Sequence, residues 1–253
     1  MINTQFNIQK NKDINLSNKT IFITGATDGI GKALSIKAAN LGAKIILNGR
    51  SKKKLEIIHD EIRSNKDCIT PSIALLDFET ADVESYFSLS ETILKNFDKI
   101  DGLVHCAGIL GDRTSIEQYK PEVWQKVMHV NLTAPFVLTQ ALFPALRLSN
   151  NPSIIFTSSD YAKNGKAFWG AYSVSKFGTE SLSQILANEN DHNTMRVNCI
   201  NPGPVNTKMR LASFPAENKE KVKSPGDNDI LAPYLYLLSD ASINVSGESI
   251  NAQ

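Results

Sequence analysis

The sequence predicts an α/β fold in which one parallel sheet is covered by helices on both faces. Short runs of β-branched and aliphatic residues alternate along the chain with stretches long enough for a crossover helix, and this alternation is typical of βαβ units. The 253 residues contain no internal repeat, low-complexity tract or Pro/Gly/Ser-rich linker that would divide the chain. We therefore predict a single domain, long enough to bury a full core without disulfides or metals.

The predicted strands alternate with helical stretches. The first strand is TIFITG (20–25), and the helix GIGKALSIKAANLG after it ends at Gly42. The other strands are predicted at KIILNG (44–49), SIALLDF (72–78), IDGLVHCAG (100–108), PSIIFTSS (152–159) and MRVNCINPG (195–203). Residues 204–228 are rich in charge and proline and have no sustained period. Such segments are either solvated surface or functional lids, and the sequence leaves both open.

The composition argues against several classes of protein. The net formal charge is +1, so no large single-sign field indicates nucleic acid or an anionic membrane as a partner. Cys68, Cys106 and Cys199 form no CxxC pair and the four histidines show no ligand spacing, so we predict neither a disulfide framework nor a metal site. The first twenty residues are polar, and no apolar run reaches the roughly 18 residues of a membrane span. These features predict a cytoplasmic protein.

A glycine-rich segment lies between the first strand and the first helix. In TGATDGIG (24–31) the glycines stand at positions 25, 29 and 31. Glycines there allow a tight turn and let a phosphate approach backbone N–H groups at a helix N-terminus. A purely structural turn is the alternative. The position between strand and helix favours a phosphate-bearing dinucleotide.

The second strand ends in NGRSKKKL, with no acidic residue at the turn. An acid near this point binds the ribose 2′-hydroxyl of NAD, whereas an arginine accommodates the 2′-phosphate of NADP. Arg50, helped by the Ser51 hydroxyl, is therefore predicted to favour NADPH about ten- to hundredfold; we interpret Lys52–Lys54 as a solvated helix start. Asp77, at the end of the third strand, either accepts from the adenine amino group or caps the following helix.

Four polar residues are candidates for chemistry. Tyr172 and Lys176 stand four positions apart in GAYSVSKFG, which on a helix places phenol and ammonium on one face. Ser159 ends a strand before them, and Asn131 lies on what the sequence predicts to be a long helix, where asparagine is a poor helix former. Taken singly, each has an ordinary structural interpretation, as a cap, a core residue or a buried hydrogen-bonder.

Together these residues resemble the short-chain dehydrogenase/reductase family. The resemblance runs from about Lys19 to the end of the sequence. TGATDGIG is similar to the family's TGxxxGxG loop, CAG (106–108) to its second glycine motif, and NPGPVNT (201–207) to its PGxxxT stretch, and Asn131, Ser159 and YSVSK follow the order and spacing of its Asn–Ser–Tyr–Lys tetrad. The segments HCAGILGD, FWGAYSVSKF, RVNCINPG, ASFPAEN and NAQ are similar to the YciK-like oxidoreductases of bacteria.

The resemblance implies a Rossmann-like, doubly wound sheet in three α/β/α layers over residues 19–253, preceded by a polar extension over residues 1–18. It implies that Tyr172 is the acid or base of a carbonyl–alcohol interconversion, with its pKa lowered by Lys176 together with the positive oxidised nicotinamide. It further implies that Ser159 holds the substrate oxygen and that Asn131 holds a water linked to Lys176. It also implies a homo-oligomer, either a dimer or a tetramer. The implied contacts to NADP, or else NAD, are Gly25, Thr27, Asp28, Gly29, Ile30, Gly31, Arg50, Ser51, Asp77, Phe78, Cys106, Ala107, Gly108, Tyr172, Lys176, Pro202, Gly203, Val205 and Thr207.

The sequence departs from the family pattern at three places. His105 and Cys106 stand where the family often has two asparagines, Asp28 stands where many NADP-preferring members carry a basic residue, and the chain ends in SGESINAQ where many members have a VDGG-like tail. Cys106 is a weak hydrogen-bonder and is expected to pack as a small apolar residue. The Asp28 departure leaves the NADPH prediction on Arg50 and Ser51.

The resemblance implies a small carbonyl or alcohol substrate, whose structure the sequence does not identify. We expect its mouth to be formed by residues 111–115, 160–169 and the loop after Thr207, with apolar walls from Phe168 and Trp169. Lys163, Lys166 and Lys208 are either anion-attracting or ordinary surface residues. The alternatives are a non-catalytic dinucleotide sensor on the same fold and, within enzymes, an enoyl reductase.

Overall fold

The computed structural model describes residues 3–5, as backbone only, 14–190 and 195–253. Its strands are β1 (Asn3–Gln5), β2 (Thr20–Ile23), β3 (Lys44–Gly49), β4 (Ser72–Leu75), β5 (Gly102–His105), β6 (Ser153–Thr157), β7 (Arg196–Asn201) and β8 (Ser249–Asn251). Its α-helices are α1 (Gly29–Asn40), α2 (Lys52–Arg63), α3 (Val83–Asn96), α4 (Pro121–Met128), α5 (Ala134–Leu146), α6 (Gly170–Glu189), α7 (Lys208–Ser213) and α8 (Asn228–Leu238).

The described strands form one parallel sheet in the order β1-β8-β7-β6-β5-β2-β3-β4. The chain proceeds outward from β2 to β4 and then returns to place β5 beside β2, so the winding direction reverses between these two strands. In open α/β sheets, a crevice for ligands lies at the carboxyl ends of the strands at such a switch point. The doubly wound fold predicted from the sequence is therefore confirmed.

Both faces of the sheet are buried. Along β2, Ile21 and Ile23 contribute to a cluster with α1, α2 and α8, whereas Phe22 between them packs in a second cluster with α3, α5 and α6. Side chains alternate across a strand, so a strand buried on both faces has an unbroken apolar sequence. This explains why Ile21, Phe22 and Ile23 follow one another without a polar residue between them.

The six predicted strands were correctly located. The prediction at 44–49 matches β3 in both bounds, whereas the other five predictions are longer than the observed strands. In those five, the last predicted residues turn out of the ladder into the loops above the sheet. The strands β1 and β8 were not predicted: each has only three residues, too few for a recognisable pattern. Strand β1 falls within residues 1–18, and the division at residue 19 stays a prediction.

The helix predictions need three corrections. Helix α1 ends at Asn40 and Gly42 follows its cap with φ of +90°, a conformation that favours glycine. The segment 204–228 contains α7, which is too short for a periodic pattern. Asn131 does not lie within a continuous α-helix, because a π-helical turn over His129–Thr133 separates α4 from α5.

Pro135 explains the π-helical turn. Proline has no N–H, so residue 135 cannot donate the bond that an α-helix would direct to the Asn131 carbonyl. The Ala134 N–H instead bonds to the His129 carbonyl, five residues back, as in a π-bulge. The proline four positions after Asn131 is the sequence signal for this turn. Among the described residues, no helix combines the length and apolar character needed to cross a bilayer.

Candidate active site

A cleft of about 540 Å³ lies at the carboxyl ends of the central strands, within the usual size of small-molecule sites. Ser159, Tyr172 and Lys176 line it, whereas Asn131 lies behind its wall. Ser51, the N-cap of α2, is not among the residues that line it. The predicted dinucleotide contacts that line it are Gly25, Thr27, Asp28, Gly29, Ile30, Gly31, Arg50, Asp77, Phe78, Cys106, Ala107, Gly108, Tyr172, Lys176, Pro202, Gly203, Val205 and Thr207.

The glycine-rich loop after β2 leaves no room for larger residues. Gly25 has φ of +64°, and a Cβ there would lie 2.9 Å from Ala107 Cα. A Cβ on Gly31 would lie 2.4 Å from the Gly25 carbonyl oxygen. The loop backbone therefore lies directly against the start of α1, whose first N–H groups lack partners within the helix. Such a helix start fits a phosphate.

Asp28 joins this loop to the opposite side of the cleft. Its Oδ1 accepts from the Gly29 N–H at 2.8 Å, and its Oδ2 pairs with Lys208 Nζ at 2.5 Å. Partial burial works to raise the pKa of Asp28, but the hydrogen bonds from Lys208 and Gly29 outweigh it and lower the pKa. Asp28 is therefore a carboxylate that caps α1 and pairs with the first residue of α7.

Tyr172 and Lys176 lie on adjacent turns of α6 and are 9% and 7% exposed. Lys176 Nζ donates to the Thr157 carbonyl at 2.7 Å and lies 5.9 Å from the centre of the Tyr172 ring. Burial lowers the pKa of Lys176 to about 8. Burial also raises the pKa of Tyr172, although hydrogen bonding with the Ser159 hydroxyl opposes this. Among the groups of the chain itself, desolvation therefore dominates the pKa of Tyr172.

Asn131 fixes the backbone beside the cleft. Its Oδ1 accepts from the Ile109 N–H at 2.8 Å, and its Nδ2 donates to the Ile109 carbonyl at 2.9 Å and to Ser175 Oγ at 3.1 Å. Ser175 Oγ in turn donates to the Tyr172 carbonyl at 2.7 Å. Both amide protons of Asn131 are therefore used within the chain, and its side chain connects the segment after β5 to α6.

Cys106 makes one cross-strand contact where an asparagine could form a stronger bridge: its Sγ accepts from Thr157 Oγ1 at 3.5 Å. The N–H groups of Cys106 and Ala107 both donate to Thr24 Oγ1 at 3.0 Å. Thr24, directly after β2, therefore connects the end of β2 to the segment after β5. His105 is buried against Phe156 with ring centroids 4.7 Å apart. Burial lowers the pKa of His105 to about 3. His105 is therefore a neutral core residue.

Comparison with known proteins identifies the family. A family model described as short chain dehydrogenase matches residues 19–218. The chain belongs to the short-chain dehydrogenase family. It is 42% identical to the uncharacterised oxidoreductase YciK of Escherichia coli K12, over 94% of this chain and 93% of the relative. The similarity to YciK-like oxidoreductases is thereby confirmed.

Two further similarities bear on chemistry. The chain is 28% identical to NADPH-dependent aldehyde reductase 2 of Arabidopsis thaliana, over 94% of this chain and 93% of that protein. It also matches the crystal structure of a short-chain dehydrogenase of Escherichia coli CFT073 complexed with NADPH. That match has a TM-score of 0.92 and 42% identity, and covers 96% of this chain and all of the other.

In this short-chain dehydrogenase the mouth of the cleft is aromatic. Tyr161, Trp169 and Phe214 line it together with Leu110 and Met209. The Trp169 ring stacks on Tyr161 at 3.4 Å and lies 5.7 Å from the Tyr172 ring. Tyr161 lies within the predicted mouth segment 160–169 and Phe214 follows Thr207, as predicted, but of the three only Trp169 was named as a wall residue. Tyr161 belongs to the 3₁₀ turn after Ser159, and Phe214 is the residue after α7.

Phe168 does not lie at the mouth where it was predicted, and the three lysines, for which two interpretations were open, differ in their places. Phe168 is 56% exposed and does not line the cleft; its φ of +69° turns the chain immediately before Trp169. Lys163 Nζ donates to Asn251 Oδ1, and Lys208 pairs with Asp28. Lys166 Nζ lies 5.5 Å from the centre of the Tyr161 ring. Of these lysines, Lys208 alone lines the cleft among the described residues.

Arg113 joins two sides of this mouth. Its Cζ lies 4.0 Å from the centre of the Trp169 ring, and its Nη1 donates to the Ser213 carbonyl at 3.1 Å. A guanidinium over an aromatic face is attracted by the ring quadrupole. The contact holds the end of α7 close to Trp169, which narrows the opening above Tyr172.

At the opposite end of the cleft, Arg50 pairs with a carboxylate that sequence reasoning missed. Arg50 Nη1 lies 3.3 Å from Glu79 Oε2, and Lys126 Nζ lies 2.5 Å from Glu79 Oε1. Asp77 does not cap α3, a position that Asp82 occupies; Asp77 Oδ1 instead accepts from the Glu79 N–H at 3.1 Å. Asp77 thus shapes the turn that brings Glu79 beside Arg50.

Proposed function

We propose that this short-chain dehydrogenase interconverts a carbonyl and an alcohol on a small substrate, with NADPH preferred and NADH possible. The observation that carries the proposal is the convergence of a tyrosine hydroxyl, a serine hydroxyl and a lysine ammonium on a cleft whose far end has a glycine loop at a helix start. One relative is an NADPH-dependent aldehyde reductase, and this similarity supports carbonyl chemistry for the chain.

The residues along the cleft fit a dinucleotide. The tight glycine loop at the start of α1 suits the pyrophosphate, Arg50 suits a 2′-phosphate, and Lys176 and Thr207 suit the nicotinamide riboside. When bound, the cofactor supplies hydride to the carbonyl carbon or accepts it from the alcohol. The NADPH complex of the Escherichia coli CFT073 relative supports the choice of cofactor.

Tyr172 is proposed to hold the proton that the substrate oxygen gains or loses. Because burial raises its pKa, the phenol is protonated near neutral pH, the form that reduction of a carbonyl requires. Ser159 donates to the same substrate oxygen and fixes its position. Lys176, adjacent on α6, provides the positive charge that stabilises a phenolate once the proton has left.

We further propose that the substrate is apolar near its carbonyl group. The walls next to Tyr172 are Trp169, Tyr161, Phe214, Leu110 and Met209, and apolar walls with a few placed polar groups are typical of small-molecule sites. Two charged residues nearby, Lys208 and Arg210, each pair with a carboxylate of the chain. An apolar aldehyde or ketone therefore fits this mouth better than a highly charged compound.

Two measurements test the proposal: the affinity for each dinucleotide, and the effect on turnover of removing the Tyr172 hydroxyl. Fluorescence titration is expected to give a lower Kd for NADPH than for NADH. Tyr172→Phe is expected to leave the Kd for NADPH nearly unchanged and to lower kcat about 10²- to 10⁴-fold on apolar aldehydes and ketones. Turnover by Tyr172→Phe at the wild-type rate would contradict the assignment of Tyr172. Dinucleotide binding without turnover on any carbonyl panel would favour the non-catalytic sensor.

We propose that the chain forms a homo-oligomer, a dimer or a tetramer. Phe136 on α5 and Val174, Phe177 and Ile185 on α6 are large apolar side chains that are each more than two-fifths exposed. Both helices pack on the same face of the sheet, and exposed apolar residues that form a patch are typical of an interaction surface. Light scattering coupled to size exclusion measures the mass, and a monomer at all concentrations would contradict the proposal.

We also propose that the protein is located in the cytoplasm, and fractionation of cells tests this.

A further inference from the structure

Three charged side chains form a chain of ion pairs at the Arg50 end of the cleft. Arg50 follows β3, Glu79 follows β4 and Lys126 lies on α4. The two oxygens of the Glu79 carboxylate are divided between the cations: Oε2 lies 3.3 Å from Arg50 Nη1 and Oε1 lies 2.5 Å from Lys126 Nζ. Arg50 and Glu79 line the cleft and Lys126 does not.

The pairing with Arg50 is the weaker of the two. Its distance is longer, and the Arg50 side chain is 63% exposed, so it is open to exchange partners. Exposed pairs of this kind contribute little to stability. The Glu79 carboxylate nevertheless acts on any anion that binds to Arg50, because a negative charge within a few ångströms repels that anion.

We propose that Glu79 and Lys126 determine how strongly this enzyme prefers a phosphorylated to an unphosphorylated dinucleotide. Glu79 lowers this preference, and Lys126 offsets the effect of Glu79. The inference rests on the proposed function, in which the cofactor's 2′-phosphate is held by Arg50. Glu79 is the specificity-determining residue, since its carboxylate both competes for Arg50 and repels the phosphate. Lys126 is a positioning residue outside the cleft, which holds the carboxylate and offsets its charge.

The sign of each effect follows from the charges. Without Lys126, the Glu79 carboxylate is free to pair fully with Arg50, so the 2′-phosphate meets an occupied arginine and an uncompensated negative charge. Without the charge of Glu79, Arg50 is fully available. NADH has a hydroxyl in place of this phosphate, so its affinity depends little on either residue. For partly screened charges at this separation we expect changes of about three- to tenfold.

The experiment measures Kd for NADPH and NADH by fluorescence titration at one fixed salt concentration, without turnover. The variants are Lys126→Met, Glu79→Gln and the double variant, with Lys120→Met as a control that removes a charge at the start of the same helix. Lys126→Met is expected to weaken NADPH about three- to tenfold and to leave NADH unchanged. Glu79→Gln is expected to tighten NADPH, and in the Glu79→Gln background Lys126→Met is expected to have no further effect.

The double variant decides the inference. A loss of NADPH affinity from Lys126→Met that persists in the Glu79→Gln background would overturn it, because Lys126 would then act directly on the phosphate. The inference would also be overturned if Lys126→Met left the ratio of the Kd values for NADPH and NADH unchanged, including the case in which both affinities fall equally. It would be overturned as well if Lys120→Met weakened NADPH binding by the same factor. Failure of the wild-type protein to bind either dinucleotide would instead refute the proposed function, and the inference with it.

Discussion

Lys176→Met is expected to make the protein more stable while it disables the site. Lys176 is buried, its ammonium donates to the Thr157 carbonyl, and the attraction of Glu180 only partly offsets its desolvation. Methionine has a similar length and no charge to desolvate, so it fits the same space. The lysine is retained at a cost in folding free energy, as functional residues often are.

The magnitude follows from the pKa of Lys176. A decrease from 10.5 to about 8 on folding corresponds to about 3 kcal/mol of unfavourable burial of the ammonium. Removal of the lysine leaves the Thr157 carbonyl without this donor, which costs about 1 kcal/mol. The net gain at pH 7 is therefore about 2 kcal/mol, or roughly 4–8 °C in Tm for a chain of this length.

The assay is urea unfolding at several pH values. Because the folded-state pKa lies below the unfolded-state value, the unfolded wild-type chain binds more protons between pH 8 and 10.5, so the wild-type free energy of unfolding rises with pH in this window. The advantage of Lys176→Met is therefore largest below pH 8 and shrinks as the pH approaches 10.5. The same variant is expected to weaken NADPH binding and to abolish turnover.

Two results would refute this reasoning. A variant less stable than the wild type at pH 7 would mean that the ammonium stabilises the fold through contacts stronger than its desolvation. A stability advantage that stays constant from pH 7 to 10 would mean that Lys176 is not the group whose protonation is suppressed. Lys120→Met, on an exposed position, serves as the control and is expected to change stability by less than about 0.5 kcal/mol.

Two other substitutions test how the cleft is built. Asn131→Ala removes both bonds to the Ile109 backbone, so urea unfolding is expected to show a loss of about 2 kcal/mol; an unchanged midpoint would mean that other groups fix this segment. Gly31→Ala places a Cβ 2.4 Å from the Gly25 carbonyl oxygen and is expected to cost about 1–3 kcal/mol. Titration of Gly31→Ala is also expected to give weaker NADPH binding, and wild-type affinity would show that the loop adjusts freely.

The fold could be predicted because its determinants are local. Strands buried on both faces, such as β2 and β3, have an apolar sequence that stands out from the polar turns around them. The glycines at 25 and 31 mark the first turn, since no other residue fits there. The edge strands β1 and β8 could not be predicted, because pairing between distant short segments leaves no pattern in either one.

Parts of the site depended on contacts that sequence spacing does not encode. Spacing of four residues brought Tyr172 and Lys176 to one face of a helix, but it did not identify the Thr157 carbonyl as the partner of the ammonium. Glu79 and Lys126 are 47 positions apart in the chain, and only the packing of α4 against the turn after β4 brings them together. Ser51 follows Arg50 directly, yet the start of α2 places it outside the cleft lining.

The opposite pKa shifts of Tyr172 and Lys176 have one cause and a chemical consequence. Burial disfavours both the phenolate and the ammonium, so the two groups move toward their neutral forms, with the pKa of Tyr172 raised and that of Lys176 lowered to about 8. A positive charge brought into the cleft would stabilise the phenolate of Tyr172, whereas the same charge would repel the ammonium of Lys176. The pKa values of Tyr172 and Lys176 therefore depend on the charge of the molecule that occupies the cleft. Helix α6 holds both residues at the cleft, where that charge acts on each of them.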